Sequence, residues 1–169
     1  MDTDLPTLQV GCEVCVSLHF PQKKDYVIAQ SEHWRITLAP DQYYLGRCYV
    51  TSLRHVRELS RLSADEWMEL QSVIRELESA MERQLQATHV TWAFLMNNAY
   101  QLENPQPHVH AHVRPRYREQ VTVGDVTALD TEFGYHHQRE LHRTLLPEQM
   151  ADITARLQAC MPSVWLPTV

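Results

Sequence analysis

Residues 105–116, PQPHVHAHVRPR, place histidines at positions 108, 110 and 112 with small apolar residues between them. On a β-strand, successive side chains point to opposite faces, with an advance of about 6.6 Å per pair of residues. His108, His110 and His112 therefore share one face of a strand, and the apolar residues share the other. On an α-helix the three histidines would fan out around the axis. The spacing predicts a strand with a histidine face and an apolar face.

Two chemical roles are open for such a face, besides a half-exposed strand that carries histidines by chance. In the first, all three imidazoles bind a catalytic metal ion. In the second, they form a phosphate site in which a neutral imidazole attacks phosphorus. A three-histidine metal site needs its ligands within about 2.1 Å of one ion. The third histidine of a regular strand is too far along for that, so separate roles are favoured.

The rest of the chain predicts a single α+β domain over residues 1–169. Short β-like runs at 26–30, 34–39 and 47–53 precede a long amphipathic helix. That helix starts with a capping box, Ser63 and Glu66, and fades near residue 86. Strands at 88–97 and 108–114 follow, then a mostly looped segment at 117–145 and a last helix that Pro147 opens. The order predicts an antiparallel sheet of about five strands with one long helix and a C-terminal helix.

Composition restricts the partners and the location. The net charge of −6 argues against a whole-surface grip on a nucleic acid duplex, whereas the arginines after the histidines suit a small anionic ligand. The apolar runs are strand-sized, so no membrane contact is expected, and the acidic residues 1–10 read as a loose tail without signal-peptide features. We therefore expect a cytoplasmic protein. There, the pair Cys12 and Cys15 indicates metal or redox work more than a disulfide.

Several segments resemble the histidine triad (HIT) family. HVHAHVR fits the family pattern His-φ-His-φ-His-φ-φ, where φ is apolar, at every position but the last, which is Arg114. YLGRCYVTSLRHV resembles the family segment before the long helix, and CEVC resembles its N-terminal C-x-x-C. FLMNN lies where the family keeps an Asn or Gln before the triad. The resemblance covers about residues 12–116 and leaves 117–169 as a C-terminal extension of a HIT-like fold.

The resemblance implies a hydrolase or transferase that acts at a nucleotide α-phosphate and needs no catalytic cofactor. By position, His110 is the nucleophile, His112 contacts the phosphate and can protonate the leaving group, and Asn97 is the phosphate-binding amide. Asn104 or Gln106 adds a donor from the loop, and Arg114 meets distal phosphates or is a solvated strand end. These substrate-binding residues, Asn97, Asn104, Gln106 and Arg114, come from the resemblance and the strand alternation.

The implied substrates are dinucleoside polyphosphates and nucleoside phosphoramidates. Three other interpretations stay open: a nucleotidyltransferase or phosphorylase, a nucleotide-binding protein with weak catalysis, and a metal-binding protein that uses the histidines as ligands. The family also implies a homodimer through the long helix and a strand. Some bacterial members bind a structural zinc ion, and the matching ligands here are Cys12, Cys15, His55 and His108, a closed set of two thiolates and two imidazoles.

The chain departs from the family pattern at two further positions, both before the triad. The family's Gly-His is Gly46-Arg47, and the usual ribose-holding acid or amide is replaced by Ala39. Asp41, two residues on, is the expected substitute. Ile36 and Leu38 are the expected apolar residues of the base pocket. The extension contains the aromatic and histidine residues Tyr117, Tyr135, His136 and His137. They either cover the site, shape a dimer contact, or belong to a wrapping tail without a chemical role, and we favour the wrapping tail.

Overall fold

The structure, a computed structural model, describes residues 8–20, 26–136 and 141–167. It is an α+β fold, as predicted. The strands are β1 Val27–Gln30, β2 Trp34–Leu38, β3 Cys48–Ser52, β4 His89–Phe94, β5 His110–Arg116, β6 Val121–Val123 and β7 Val126–Ala128. The helices are α1 Glu13–His19, α2 Ala64–Leu85 and α3 Pro147–Gln158, with 3-10 turns at Leu59–Arg61, Asn97–Gln101 and Ser163–Trp165.

Strands β1 to β5 form one antiparallel sheet in the order β1-β2-β3-β5-β4. The histidine strand β5 is thus interior, between β3 and β4. The register pairs Thr51 with His110 and Tyr49 with His112. Because paired residues lie on the same face of a sheet, Tyr49 and Thr51 are the neighbours of the two histidines.

The opposite face of the sheet packs on α2. Val109, just before β5, and Ala111 and Val113 within it are fully buried there, as the alternation predicts. Helix α2 presents a buried stripe at helical spacing. Its N-terminus has the predicted capping box, with the Ser63 side chain accepting from the Glu66 N–H and the Glu66 carboxylate accepting from the Ser63 N–H. The core therefore fixes which face of β5 turns toward the functional side of the sheet.

The C-terminal extension contains more structure than the predicted loop. VTVGDVTA folds as the hairpin β6–β7, with Gly124 at φ +58° in its turn. The alternating valines around a Gly-Asp turn are a hairpin signal that the expectation of a loop overlooked. Helix α3 begins at Pro147, as predicted.

The extension is anchored to the sheet by buried polar contacts. Arg116 forms an ion pair with Asp130 at 2.6 Å, and the Tyr117 hydroxyl donates to the Leu45 carbonyl at 2.5 Å. The Tyr44 hydroxyl donates to a carboxylate oxygen of Glu132. Tyr117 thus has a structural role. Tyr135 and His136 are exposed and do not line the cavity described below, and His137 lies outside the described residues.

Among the described helices, none combines the length and the apolar character that crossing a membrane requires.

Candidate functional site

The paired imidazoles of His110 and His112 are the centre of the site. Their Nε2 atoms lie 3.2 Å apart on the exposed side of β5. The Nδ1 of His110 is 2.9 Å from the carbonyl oxygen of His108. A carbonyl only accepts, so Nδ1–H must donate to it, and Nε2 of neutral His110 keeps its lone pair. The hydrogen bond between the two rings then requires Nε2–H of His112 to donate. The hydrogen bonds thus leave a lone pair on Nε2 of His110 and a proton on Nε2 of His112.

Tyr49 packs edge-on against both imidazoles. Its ring centroid is 6.1 Å from that of His110 and 5.0 Å from that of His112, with interplanar angles above 80°. The Arg47 guanidinium, from the residue just before β3, lies 5.9 Å from the centroid of the Tyr49 ring. Such edge-to-face packing holds the imidazole planes in place.

The histidines line a cavity of about 560 Å³, a volume typical of small-molecule sites. Its apolar wall comes from α1, β1 and the segment after β4, and includes Val14, Leu18, Val27, Met96 and Leu102. Its polar wall includes Glu13, Ser17, Arg35, Thr37, Asn98 and Gln106. A cavity lined by apolar side chains, by polar side chains and by two histidines suits a small ligand that has both an apolar part and a polar or charged part.

The cavity corrects the predicted base pocket. Ile36 and Leu38 are only 1% and 3% exposed and belong to the core on α2, so they do not line the cavity. Their neighbours Arg35 and Thr37 do, because adjacent residues of a strand face opposite sides of the sheet. The sequence prediction chose the wrong face of β2.

Asp41 is not placed to hold a ribose either. Its carboxylate pairs with Arg47 at 2.5 Å and accepts from the backbone N–H groups of Tyr43 and Arg143. Burial disfavours the ionised carboxyl, but these N–H groups and Arg47 outweigh it and lower the pKa of Asp41. Asp41 therefore orders a loop and does not line the cavity.

The predicted loop amides divide into two groups. Asn97 and Asn104 are exposed and do not line the cavity, whereas Asn98 and Gln106 do. The amide expected from Asn97 is thus offered by the next residue, because the chain turns into a 3-10 helix at this point. The single carboxylate among the described residues of the lining is Glu13, which the sequence prediction missed.

Arg114 lies on the histidine face of β5, as the alternation predicts, but neither it nor Arg116 is a solvated strand end. They are 4% and 6% exposed. Arg116 is held by Asp130, whereas Arg114 lies beyond His112, outside the lining of the cavity.

A second cluster consists of Cys12, Cys15, His55 and His108, whose ligand atoms all lie within 4.8 Å of one another. Nδ1 of His108 is 3.5 Å from the Cys12 sulfur and 3.4 Å from the Cys15 sulfur, and Nδ1 of His55 is 3.4 Å from the Cys15 sulfur. A tetrahedral zinc ion with Zn–S of about 2.3 Å and Zn–N of about 2.05 Å separates N and S by roughly 3.6 Å. The four residues therefore fit a tetrahedral ion.

The surroundings of this cluster also suit a metal. Nε2 of His108 is 2.7 Å from the Ser52 carbonyl and must donate to it, which turns the Nδ1 lone pair toward the sulfurs. Burial lowers the pKa of His108 to about 4 and raises the pKa of Cys15 to about 11. The imidazole is thus neutral, and a cation is needed to hold the thiolate form. The triad histidines His110 and His112 are not members of the cluster.

Helix α1 joins the two sites. Cys12 caps its N-terminus, accepting from the Cys15 N–H at 3.4 Å, and Arg35 donates to the Leu18 carbonyl near its C-terminus at 2.8 Å. Its cysteines face the metal cluster, while Glu13, Val14 and Ser17 line the cavity. Helix α1 therefore forms one wall of the cavity, and its N-terminal end belongs to the cluster of Cys12, Cys15, His55 and His108.

The fold and the site together define a protein of the histidine-triad class, with an interior strand of alternating histidines over a small-molecule cavity. Residues 21–119, more than half of the chain, match the family model described as the HIT domain. The chain belongs to the HIT family. A sequence search among curated proteins found no significant match.

Solved structures share the fold at low sequence identity. A hypothetical histidine triad nucleotide-binding protein from Sulfolobus tokodaii superposes with a TM-score of 0.65 at 14% identity, over 88% of this chain and 91% of the other. A zinc-bound histidine triad family protein from Mycobacterium smegmatis superposes with a TM-score of 0.56 at 19% sequence identity, over 88% of this chain and 94% of the other. The diadenosine triphosphate hydrolase of Plasmodium falciparum, in complex with cyclomarin A, superposes with a TM-score of 0.55 at 14% sequence identity, over 82% of this chain and 76% of the other.

Proposed function

We propose that this protein is a nucleotide hydrolase that cleaves at an α-phosphate through a nucleotidyl-histidine intermediate. The observation that carries the proposal is the orientation of His110, whose Nδ1–H is held by the His108 carbonyl while Nε2 faces His112. The bonds to be cleaved are phosphoanhydride or phosphoramidate bonds, as in dinucleoside polyphosphates or nucleoside phosphoramidates. A similar fold in a diadenosine triphosphate hydrolase supports the choice.

The reaction has two steps. In the first, Nε2 of His110 attacks the α-phosphorus, the bond to the leaving group breaks, and the imidazolium of His112, favoured by the phosphate charge, gives its Nε2 proton to the leaving atom. In the second, Nε2 of His112 takes a proton from water, whose oxygen attacks phosphorus and breaks the phosphorus–nitrogen bond. The nucleoside monophosphate leaves, and both histidines regain their starting forms. The His108 carbonyl stabilises the positive charge on His110 in between.

Product analysis tests the proposal. The purified protein is incubated with an adenosine phosphoramidate and with diadenosine polyphosphates, and AMP release is followed. Hydrolysis yields AMP whether or not inorganic phosphate is added, whereas a phosphorylase would yield ADP when phosphate is present. Nucleotide binding without any turnover would instead favour the weakly catalytic binding protein.

We further propose that Glu13 takes the ribose-binding role that Ala39 and Asp41 do not fill. A carboxylate accepts from both hydroxyls of a ribose, and Glu13 supplies the one carboxylate among the described lining residues. Glu13→Gln is expected to raise KM for a ribonucleotide substrate by roughly tenfold, because charge-assisted hydrogen bonds are lost, with little change in kcat.

Steady-state kinetics with ribose and 2′-deoxyribose forms of one substrate check the role of Glu13. The variant is expected to discriminate less between the two sugars than the wild type does. Asp65→Asn removes an acid from the first turn of another helix, α2, and serves as the matched control. An unchanged preference for ribose in Glu13→Gln would contradict the role.

Structural zinc, a homodimer and a cytoplasmic location complete the proposal. Zinc is supported by the cluster geometry and by the zinc-bound relative of the same fold. The homodimer is supported by β4, which is an edge of the sheet and carries half-buried Trp92 and Phe94. Sedimentation velocity tests it, and a mass of one chain would contradict it. The free cysteines of the described chain suit a reducing compartment.

A further inference from the structure

Arg114 carries a buried charge that no acidic residue in the described part of the chain pairs with. Its side chain is 4% exposed, and its Nη1 has no hydrogen-bond partner. No carboxylate of the described chain lies within 4 Å of it, although both neighbouring arginines on this face have one: Asp41 for Arg47 and Asp130 for Arg116. A buried, unpaired guanidinium is costly, so a binding partner is expected to offset the cost.

The acids that contact the neighbours of Arg114 are already engaged with those neighbours. Asp41 holds Arg47, Asp130 holds Arg116 through both oxygens, and Glu132 accepts from the Tyr44 hydroxyl. Burial and, after it, repulsion from Arg47 lower the pKa of Arg114. Nε of Arg47 is itself buried without a hydrogen-bond partner. Two guanidinium groups thus keep unused N–H donors in a region with excess positive charge.

This charge lies directly beyond the proposed chemistry. Alternation along β5 places His110, His112 and Arg114 in a row on one face. The pairing of Cys48 with Val113 brings Arg47 of the neighbouring strand beside Arg114. Tyr49 connects the two regions, since it lines the cavity, packs on His112, and lies next to the Arg47 guanidinium. The row runs from the nucleophile to the proton donor and then to the arginines.

We propose that Arg114 and Arg47 form an anion-binding subsite for phosphate groups carried by the leaving group. The inference rests on the proposed function and adds to it the chemical class of the leaving group. A phosphorylated leaving group carries negative charge on its phosphates before and after its bond to the α-phosphorus breaks, and a guanidinium in a water-poor region stabilises that charge strongly. A neutral amine leaving group offers nothing for the subsite to bind.

The two residues are also two of the three positions, with Ala39, at which the chain departs from the family pattern. Arg47 takes the place of the histidine in Gly-His, and Arg114 takes the place of the last apolar residue of the triad motif. The register of β3 and β5 makes these two departures neighbours on one face of the sheet.

Binding of inorganic tripolyphosphate tests the subsite without any assumption about turnover. Calorimetric titration of the wild type is expected to show binding. Arg114→Leu and Arg47→His, which restore the family's residue types, are expected to weaken it by about tenfold or more, as for a lost charge-assisted hydrogen bond. Arg75→Leu changes the net charge equally at an exposed site on α2 and is the control. No binding by the wild type, or equal binding by Arg114→Leu, would overturn the proposal.

Kinetics tests the link to the leaving group. The ratio of kcat/KM for a diadenosine polyphosphate to that for an adenosine phosphoramidate is expected to fall by about tenfold in Arg114→Leu, and to be unchanged in Arg75→Leu. An unchanged ratio in Arg114→Leu would overturn the leaving-group assignment. Failure of the wild type to turn over either substrate would refute the proposed function, while the tripolyphosphate titration would still decide the subsite.

A folding defect can be separated from a binding defect. Circular dichroism and thermal unfolding are recorded for each variant before titration. If Arg114→Leu fails to fold, two other measurements test the subsite. Arg47→His is expected to bind tripolyphosphate more weakly than the wild type, and added tripolyphosphate is expected to raise the Tm of the wild type. The absence of both effects would overturn the subsite.

Discussion

Replacing His110 by alanine is expected to lower kcat/KM by more than about a thousandfold for every substrate that the protein turns over. The loss follows because, among the described residues that line the cavity, no second side chain repeats the hydrogen-bonded arrangement of His110. His112 lacks the His108 carbonyl that fixes the tautomer of His110. Nucleotide binding is expected to persist, because most of the cavity wall is formed by other residues. Steady-state kinetics and equilibrium binding of AMP measure the two effects.

Trapping the intermediate distinguishes covalent catalysis from a water attack assisted by His110. Rapid acid-free denaturation during turnover, followed by intact-mass measurement, is expected to show a chain heavier by one nucleotidyl group. With a nucleotide ester whose leaving group departs as a stable anion, such as p-nitrophenolate, the first step needs no proton from His112. His112→Ala should then accumulate this species, because water lacks its base in the second step. His89→Ala removes an exposed histidine of the adjacent strand and should behave as the wild type does. Residual turnover of His110→Ala near the wild-type rate would refute the intermediate.

The sequence was most informative where a pattern had a single periodic solution. The alternation at 108–113 placed the histidines on one face of β5 and the apolar residues on α2, and the structure has this arrangement. Ser63 and Glu66 marked the start of α2 because both partners of a capping box are local in sequence. The four members of the metal cluster meet as the resemblance implied.

The wall of the cavity could not be predicted in the same way. Ile36 and Leu38 were chosen for their apolar character, but which face of β2 meets the cavity depends on register with β3 and on the packing of α2. Asp41 was predicted to bind the ribose because of its place in the chain. Its carboxylate instead accepts from the Arg143 N–H and pairs with Arg47, and the contact with Arg143 joins residues far apart in the sequence. Glu13 was missed because helix α1 is short, and its position depends on contacts far along the chain rather than on propensity.

Loss of the metal cluster is the second large effect that we expect. Cys12→Ser should remove zinc, measured as about one ion per chain in the wild type. It should also lower the free energy of unfolding by several kcal/mol, because structural zinc binding, worth on the order of 10 kcal/mol in small domains, is partly realised as folding energy. Cys160→Ser makes the same substitution outside the cluster and should keep both the ion and the stability.

Cys12→Ser should also separate the effect of the cluster on substrate binding from its effect on the chemical steps. Helix α1 is tied at its N-terminal end to the cluster and forms a wall of the cavity, whereas His110 is held by its own strand. Chelation or Cys12→Ser is therefore expected to raise KM more than it lowers kcat at temperatures where the sheet stays folded. His110→Ala should show the opposite split and retain zinc. Zinc loss on changing His110 would instead assign the ion to the triad, and equal zinc contents of Cys12→Ser and the wild type would rule out the cluster as its site.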